Sequence, residues 1–315
     1  MKKPLLIIAG PTACGKTDVS VNLARLLDGE IISADSMQIY RFMDIGTAKI
    51  TPDEMQGVPH HLIGEINPDE PYSAAVFSEM ASERIKEICS RGRLPILVGG
   101  TGFYINALLR GNTFTNEPDT ELRKNLAEQA EKFGNEFMHR RLRQIDPEYA
   151  ETLHPNNSKR VIRAIEFFEQ TGRLFSENNR LEKQREASFN HLMMVLHTRR
   201  ELIYERINRR VDRMIEQGLV EEVKELMKMG YSPGLVSMQG IGYKEIIGFL
   251  NGGTAFETAV SLIKQNTRHF AKRQLTWFSN QNEEGVWFDV EHGTGDLLKR
   301  ILTFVQKQDI INEHR

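Results

Sequence analysis

The sequence predicts an α/β fold: a parallel β-sheet with helices on its faces, interrupted by an all-helical insertion. Three observations carry this. Short apolar runs alternate with segments of helical period. The first run leads straight into a glycine-bounded loop, GPTACGKT. A long middle region carries helical periodicity and no strand signal.

The strands come first. Residues 5–9 (LLIIA), 30–34 (EIISA) and 94–98 (LPILV) read as buried parallel strands. Between the second and third, Ala74, Phe77, Ala81, Ile85 and Ile88 recur at three- and four-residue spacing, and Gly92 stops that helix. Residues 192–197 and 286–290 supply a fourth and a fifth strand. The stretch 113–188 differs. Leu122, Leu126, Ala130 and Phe133 make one helical face there, and Val161, Ile162, Ile165 and Phe168 make another. The polar hinge GNTFTNEPD opens this insertion and the charged stretch ENNRLEKQREAS closes it. The expected division is a first core part over 1–112, an insertion over 113–190, and a second core part with C-terminal helices over 191–315.

Composition sets limits. The 315 residues include 40% hydrophobic and 27% charged, an ordinary globular mix. A net charge of −2 gives no global basicity, so a nucleic-acid partner has to be read from local patches. Cys14 and Cys89 cannot build a disulfide framework, which fits a reducing compartment. The start MKKPLLIIAG is too short in its apolar run for a secretory signal. No run approaches the ~20 apolar residues of a membrane span. A cytoplasmic chain is expected, with no membrane and no evident protein partner, working as a monomer. His60 and His61 lack further ligands at suitable spacing, so no zinc site is expected.

Gly10, Pro11, Thr12, Ala13, Cys14, Gly15, Lys16 and Thr17 match G-x-x-x-x-G-K-[ST] between a strand and a helix. This makes the sheet P-loop NTPase-like. The glycines let backbone N–H groups turn in around phosphate oxygens, and the helix N-terminus adds its dipole. Lys16 reaches the outer phosphate. The Thr17 hydroxyl suits Mg²⁺. The motif specifies a polyphosphate and is silent on what the polyphosphate carries.

A nucleotide hydrolase of this type adds an acid on a later strand. LPILVGG and HLMMVLHT end without one. The only strand-end acid is Asp35, after the second strand and on the cradle's edge of the sheet. Position alone leaves it two roles, helix cap or catalyst. Gly99, Gly100, Thr101, Gly102, Phe103 and Tyr104 follow the third strand, where a glycine-rich turn lets backbone approach a ligand or simply turns tightly. After the fourth strand, Arg206, Arg210 and Arg213 share one helical face. Such arginines neutralise a leaving group, or salt a solvated face with Glu205 and Asp212.

Three basic stretches bear on nucleic acid. Residues 258–282 contain no acid, and Lys264, Arg268 and Lys272 share a face there, with Trp277 and Phe278 after them. Lys159, Arg160 and Arg163 form a stripe in the insertion. The loop Ser237, Met238, Gln239, Gly240, Ile241, Gly242, Tyr243 brings amide, glycine and aromatic together. Each alone also reads as a solvated face.

Taken together, the chain resembles the tRNA dimethylallyltransferase family, also called tRNA isopentenyltransferase. The matching segments are GPTACGKT, ISADSMQIYR, DIGTAK, VPHHL, LVGGTGFY, NSKRVIRA, RINRRVDRMIEQGLVEEV, SMQGIGYKE and TRHFAKRQLTWF, over about residues 5–280. The resemblance implies transfer of a dimethylallyl group from dimethylallyl diphosphate to N6 of the adenosine 3′ of the anticodon, with Mg²⁺ as cofactor. The cradle would then hold a prenyl diphosphate. Asp35 would be the base. Lys16, Thr17, Thr101 and Arg206 or Arg210 would complete the catalytic set. Asp35, Ser36, Met37, Gln38, Thr101, Arg123, Lys159, Arg160, Val161, Ile162, Arg163, Gln239, Gly240, Ile241 and Gly242 would hold the tRNA, joined by Lys264, Arg268 and Lys272. Cys14 stands where the family usually has serine. The expectation is that Cys14→Ser is active and that thiol alkylation blocks the wild type alone. After Trp287 only a strand, a helix and a tail are expected, without the zinc finger of eukaryotic members, which implies the bacterial form. Competing expectations are an adenylate isopentenyltransferase acting on free nucleotides, a P-loop kinase of a small metabolite, and a non-catalytic RNA-binding protein.

Overall fold

The computed structural model describes residues 2–111, 120–281, 285–291 and 294–308. The hinge expected over 111–119 lies outside them from residue 112 on, as does the tail after 308. In chain order the first elements are β1 (Pro4–Ala9), α1 (Lys16–Leu26), β2 (Gly29–Ser33), α2 (Pro52–Met55), β3 (His60–His61), α3 (Ala74–Ser90), β4 (Leu94–Gly99) and α4 (Gly102–Arg110). Five helices follow: α5 (Thr120–Phe133), α6 (Asn135–Ile145), α7 (Pro147–Glu151), α8 (Ser158–Thr171) and α9 (Phe175–Gln184). Then come β5 (Asn190–His197), α10 (Arg200–Glu216), α11 (Leu219–Lys228), α12 (Tyr243–Leu250), α13 (Phe256–Gln281), β6 (Val286–Asp289) and α14 (Thr294–Gln306).

The strands form one parallel sheet in the order β3-β2-β4-β1-β5-β6. The five expected strands are all present. Alternation along β1 divides the core: Leu5, Ile7 and Ala9 join one cluster with Phe77, Ile85 and Ile105, and Leu6 and Ile8 join another with Val19, Leu23 and Ile301. Burial on both faces is why these strands read as unbroken apolar runs.

The expectation omitted β3. This two-residue edge strand pairs Ile31 with His60 and Ile32 with His61. Its histidines have local jobs. His60 Nδ1 lies 2.8 Å from the Val58 carbonyl, and His61 Nε2 lies 2.7 Å from Glu30 Oε2. Burial of Glu30 opposes its charge, but hydrogen bonds from Arg91 and His61 outweigh that and hold its carboxyl below the usual range.

The chain divides into two compact units, Met1–Leu109 with Ser188–Arg315, and Arg110–Ala187. The second crossing falls at Ser188, whose N–H donates to Leu109 O at 2.7 Å. In the inserted unit Leu126, Met138, Leu142, Val161, Ala164 and Ile165 form the core. Two expected core residues differ. Phe133 is exposed, because α5 ends there at Gly134 and the ring packs on Phe137 at the hairpin tip. Phe167, not Phe168, is buried on α8, because α9 brings Phe175 against it. Among the described residues no helix is long and apolar enough to cross a membrane.

Candidate active site

Loops from three neighbouring strands, β2, β4 and β1, meet at the carboxyl edge of the sheet, where open α/β sheets bind ligands. The cradle leaves β1 at Gly10 (φ +146), whose added Cβ would stand 2.4 Å from Leu196 O, so only glycine fits. Ala13 (φ 63) and Gly15 (φ 86) are also left-handed, which turns successive N–H groups to one side. Lys16 Nζ donates to Gly10 O at 3.0 Å and Pro11 O at 2.7 Å, so its charge spans the loop. A cavity of about 460 Å³ opens over the loop, lined by Lys16, Thr17, Asp35, Gly100, Arg210 and Arg213 among others.

Cys14 is 1% exposed and packs with Leu6, Ile8 and Val19. This corrects the expected thiol sensitivity, since a buried thiol is shielded from reagent. Alkylation should therefore inactivate wild type and Cys14→Ser at the same slow rate. Labelling followed by intact mass checks this, and rapid selective loss in the wild type would contradict it.

Asp35 takes the capping role, and it also faces the cavity. Its Oδ1 accepts from Met37 N at 2.8 Å and Gln38 N at 3.3 Å, which caps the turn after β2. Oδ2 has no protein partner among the described residues, and the side chain lines the cavity. Gln38 is tied to the loop opposite, donating to Thr47 O at 3.3 Å and Ala48 O at 3.2 Å. Ser36 is half-buried beside them. Thr101 precedes α4, and its carbonyl accepts from Tyr104 N.

The glycines around Thr101 serve packing within the protein. An added Cβ would stand 2.4 Å from Ala34 O at Gly99, 2.1 Å from Gln274 Nε2 at Gly100, and 2.1 Å from the Trp277 ring at Gly102. On α10, Arg210 Nη1 donates to Thr12 Oγ1 at 3.2 Å. Burial first, and Arg213 second, push the Arg210 guanidinium below its usual range. Arg206 lines a second cavity of about 310 Å³ with Arg210, Arg213, Ala13, Cys14 and Gly15 among others.

The family model described as IPP transferase matches residues 38–281. The chain belongs to the IPP transferase family. A tRNA dimethylallyltransferase of Lachnoclostridium phytofermentans is 49% identical over 98% of this chain and 99% of its own. One of Alkaliphilus oremlandii is 50% identical over 93% of each chain. The crystal structure of a tRNA isopentenylpyrophosphate transferase from Bacillus halodurans superposes with TM-score 0.75 at 43% identity, covering 99% of this chain and 98% of that one. A eukaryotic dimethylallyltransferase described as acting on tRNA superposes with TM-score 0.82 at 28% identity, covering 99% of this chain and 80% of that one.

In this IPP transferase family member the DIGTAK segment lines the first cavity through Asp44, Ile45, Thr47, Ala48 and Lys49. Glu222, on α11, holds this loop. Its carboxylate accepts from Asp44 N at 2.8 Å, Ile45 N at 2.7 Å, Gly46 N at 3.0 Å and the Tyr243 hydroxyl at 2.7 Å. Gly46 has no Cβ because Tyr243 Cζ would lie 2.5 Å from it. Sequence reading missed Glu222, since nothing local to VEEV points at residue 44. Glu222→Ala leaves three N–H groups and a hydroxyl without their acceptor, a loss of about 3 kcal/mol or more. Chemical unfolding should read that loss, and an unchanged midpoint would contradict it.

Several residues expected to meet tRNA in this IPP transferase family member have other partners. Val161 is fully buried in the inserted core, so its side chain is unavailable, and Ile162 packs against the same core. Lys264 pairs with Asp212 at 2.5 Å and Arg268 donates to Asn208 at 2.7 Å, which ties α13 to α10. Lys272 is exposed. Phe278 and Tyr243 are fully buried, so neither offers a stacking face, and Trp277 is half-buried with its ring packed on Gly102. Arg123 and Arg163 both donate to the buried Glu166, at 2.8 and 3.1 Å. Lys159 and Arg160 stay exposed. Gln239 is exposed, Gly240 closes on Met37, Ile241 is partly buried against the core, and Gly242 (φ +99) starts α12.

Proposed function

We propose that the chain transfers a dimethylallyl group from dimethylallyl diphosphate to N6 of the adenosine 3′ of the anticodon in tRNA, releasing diphosphate. One observation carries the chemistry: Lys16 and Thr17 of the cradle, Arg210 and Asp35 line a single cavity. Cations and a base at one cavity suit cleavage of an allylic C–O bond with attack by a weak amine.

In this reading the diphosphate lies against the inward N–H groups of the cradle, and Lys16 exchanges its loop carbonyls for phosphate oxygens. N6 forms the new C–N bond as the C–O bond breaks, and that electron pair leaves with the diphosphate. Asp35 Oδ2 takes the N6 proton, which helps because the N6 lone pair is delocalised into the ring. Extruding the adenosine costs at most a few kcal/mol in an unpaired loop. Among the described residues no group of three or more His, Cys, Asp or Glu could hold a metal by itself. Mg²⁺ needs no such group here, because its hard oxygen ligands would be the Thr17 hydroxyl, which lines the cavity, and the oxygens of a bound diphosphate. When bound, Mg²⁺ would neutralise charge on the leaving group, held by the Thr17 hydroxyl.

The relatives' names support tRNA as acceptor, and the unit Arg110–Ala187 would be without use in a small-metabolite kinase. The test is to incubate unmodified tRNA, dimethylallyl diphosphate and Mg²⁺ with the protein, then digest to nucleosides for mass spectrometry. N6-dimethylallyladenosine is the expected product. Unchanged adenosine throughout would overturn the reading.

A further inference from the structure

Gln274 sits in the C-terminal half of α13, far in sequence from every loop of the site, yet its side chain is buried against two of them. Its Oε1 accepts from Thr12 N at 2.9 Å, and its Nε2 donates to Gly100 O at 3.0 Å. Both partners are backbone groups of loops that line the cavity, and Gln274 lines it too. Gly100 is glycine because a Cβ would stand 2.1 Å from that Nε2 and 2.9 Å from Gly10 O. The two loops therefore press together, and one amide fills the seam.

We propose that Gln274 is a positioning residue that sets the register between the two substrates. The claim rests on the prenyl-transfer reading and goes beyond it. Thr12 belongs to the cradle, which would hold the leaving diphosphate, and its hydroxyl also receives Arg210. Gly100 precedes Thr101, on the loop that would face the adenosine. A primary amide accepts at its oxygen and donates at its nitrogen without carrying charge, so it matches an N–H on one loop and a C=O on the other. The substrates must meet with N6 in line with the breaking C–O bond, and a misplacement of about 1 Å costs about 10²-fold in rate. Gln274 touches neither reacting atom. Its contribution therefore lies in kcat, with little effect on how tightly either substrate binds alone.

Two variants make the test. Gln274→Leu keeps the bulk and removes both hydrogen bonds. Gln274→Glu keeps the acceptor for Thr12 but turns a carboxylate oxygen on the Gly100 carbonyl. Protonated, the same glutamate accepts and donates as glutamine does. The experiment measures kcat and both KM values for prenyl transfer to tRNA between about pH 5.5 and 8.5, with thermal midpoints at each pH. At neutral pH both variants should lose about 100-fold in kcat, with each KM within about threefold of wild type at midpoints well above the assay temperature. As pH falls, Gln274→Glu should regain kcat relative to wild type, while Gln274→Leu should not. A purely structural role would lower the midpoints and give no acid recovery confined to the glutamate. Unchanged kcat in both variants, a rise in one KM alone, or equal pH profiles would overturn the proposal. Wild-type protein inert on tRNA would instead overturn the prenyl-transfer reading, and that control is read before either variant.

Discussion

Asp35→Asn should lower kcat by about 10²- to 10⁴-fold, the range in which a positioned general base contributes. The substitution is informative because the cap and the proposed base fall on different oxygens of Asp35. Oδ1 caps the turn through Met37 N and Gln38 N. Asparagine keeps that acceptor and is as good a cap as aspartate. It cannot take a proton at the other position. Stability and KM for dimethylallyl diphosphate should therefore stay near wild type while turnover collapses. Asp35→Ala should show the same loss in turnover together with about 1 kcal/mol of lost stability from the missing cap. Single-turnover transfer and thermal melts on the two variants separate the duties. Full activity in Asp35→Asn would leave Asp35 as a cap only.

Arg210→Gln should lower kcat by about 10²- to 10³-fold, the scale for removing one preorganised donor to a developing negative charge. The geometry favours this residue over Arg206. Arg210 donates to Thr12 in the cradle and lines both cavities, whereas Arg206 lines only the second. Arg213 crowds it with like charge, and burial strips water from it. A diphosphate bound there would offset both costs, so in the proposed reaction the leaving-group charge would meet a cation held ready. Arg210→Lys should not restore activity, because an ammonium lacks the planar fork that serves Thr12 and a phosphate oxygen together. Arg206→Gln should fall by about tenfold or less, as for one partly exposed charge that lines only the second cavity. Rapid-quench measurement of the transfer step ranks the three variants. A larger loss at Arg206 than at Arg210 would reverse the assignment.

The cradle and the strands were legible in the sequence because their signals are local. A G-x-x-x-x-G-K-T loop after LLIIA needs no distant partner to be recognised, and buried parallel strands announce themselves as apolar runs. β3 was not legible, because two histidines make neither an apolar run nor an alternation, and their place is set by β2. The same limit hid Glu222 and Gln274. Glu222 holds backbone 178 residues away and Gln274 holds Thr12 across 262 residues, and no periodicity encodes such a contact. The basic face of α13 shows the converse error. Lys264 and Arg268 look available in the sequence because Asp212 and Asn208 lie on another helix. The glycines after β4 were legible as close approaches. What approaches them is Ala34, Gln274 and Trp277 of the protein itself.

The most direct measurement is a transfer assay with radiolabelled dimethylallyl diphosphate and Mg²⁺, with unmodified tRNA and AMP offered in parallel. The tRNA carries adenosines at the two positions after the central base of its anticodon. Label in tRNA and not in AMP, lost in Asp35→Asn, is the result expected of a base at Asp35 beside a diphosphate cradle. Label in AMP alone, or equal transfer by Asp35→Asn, would contradict it.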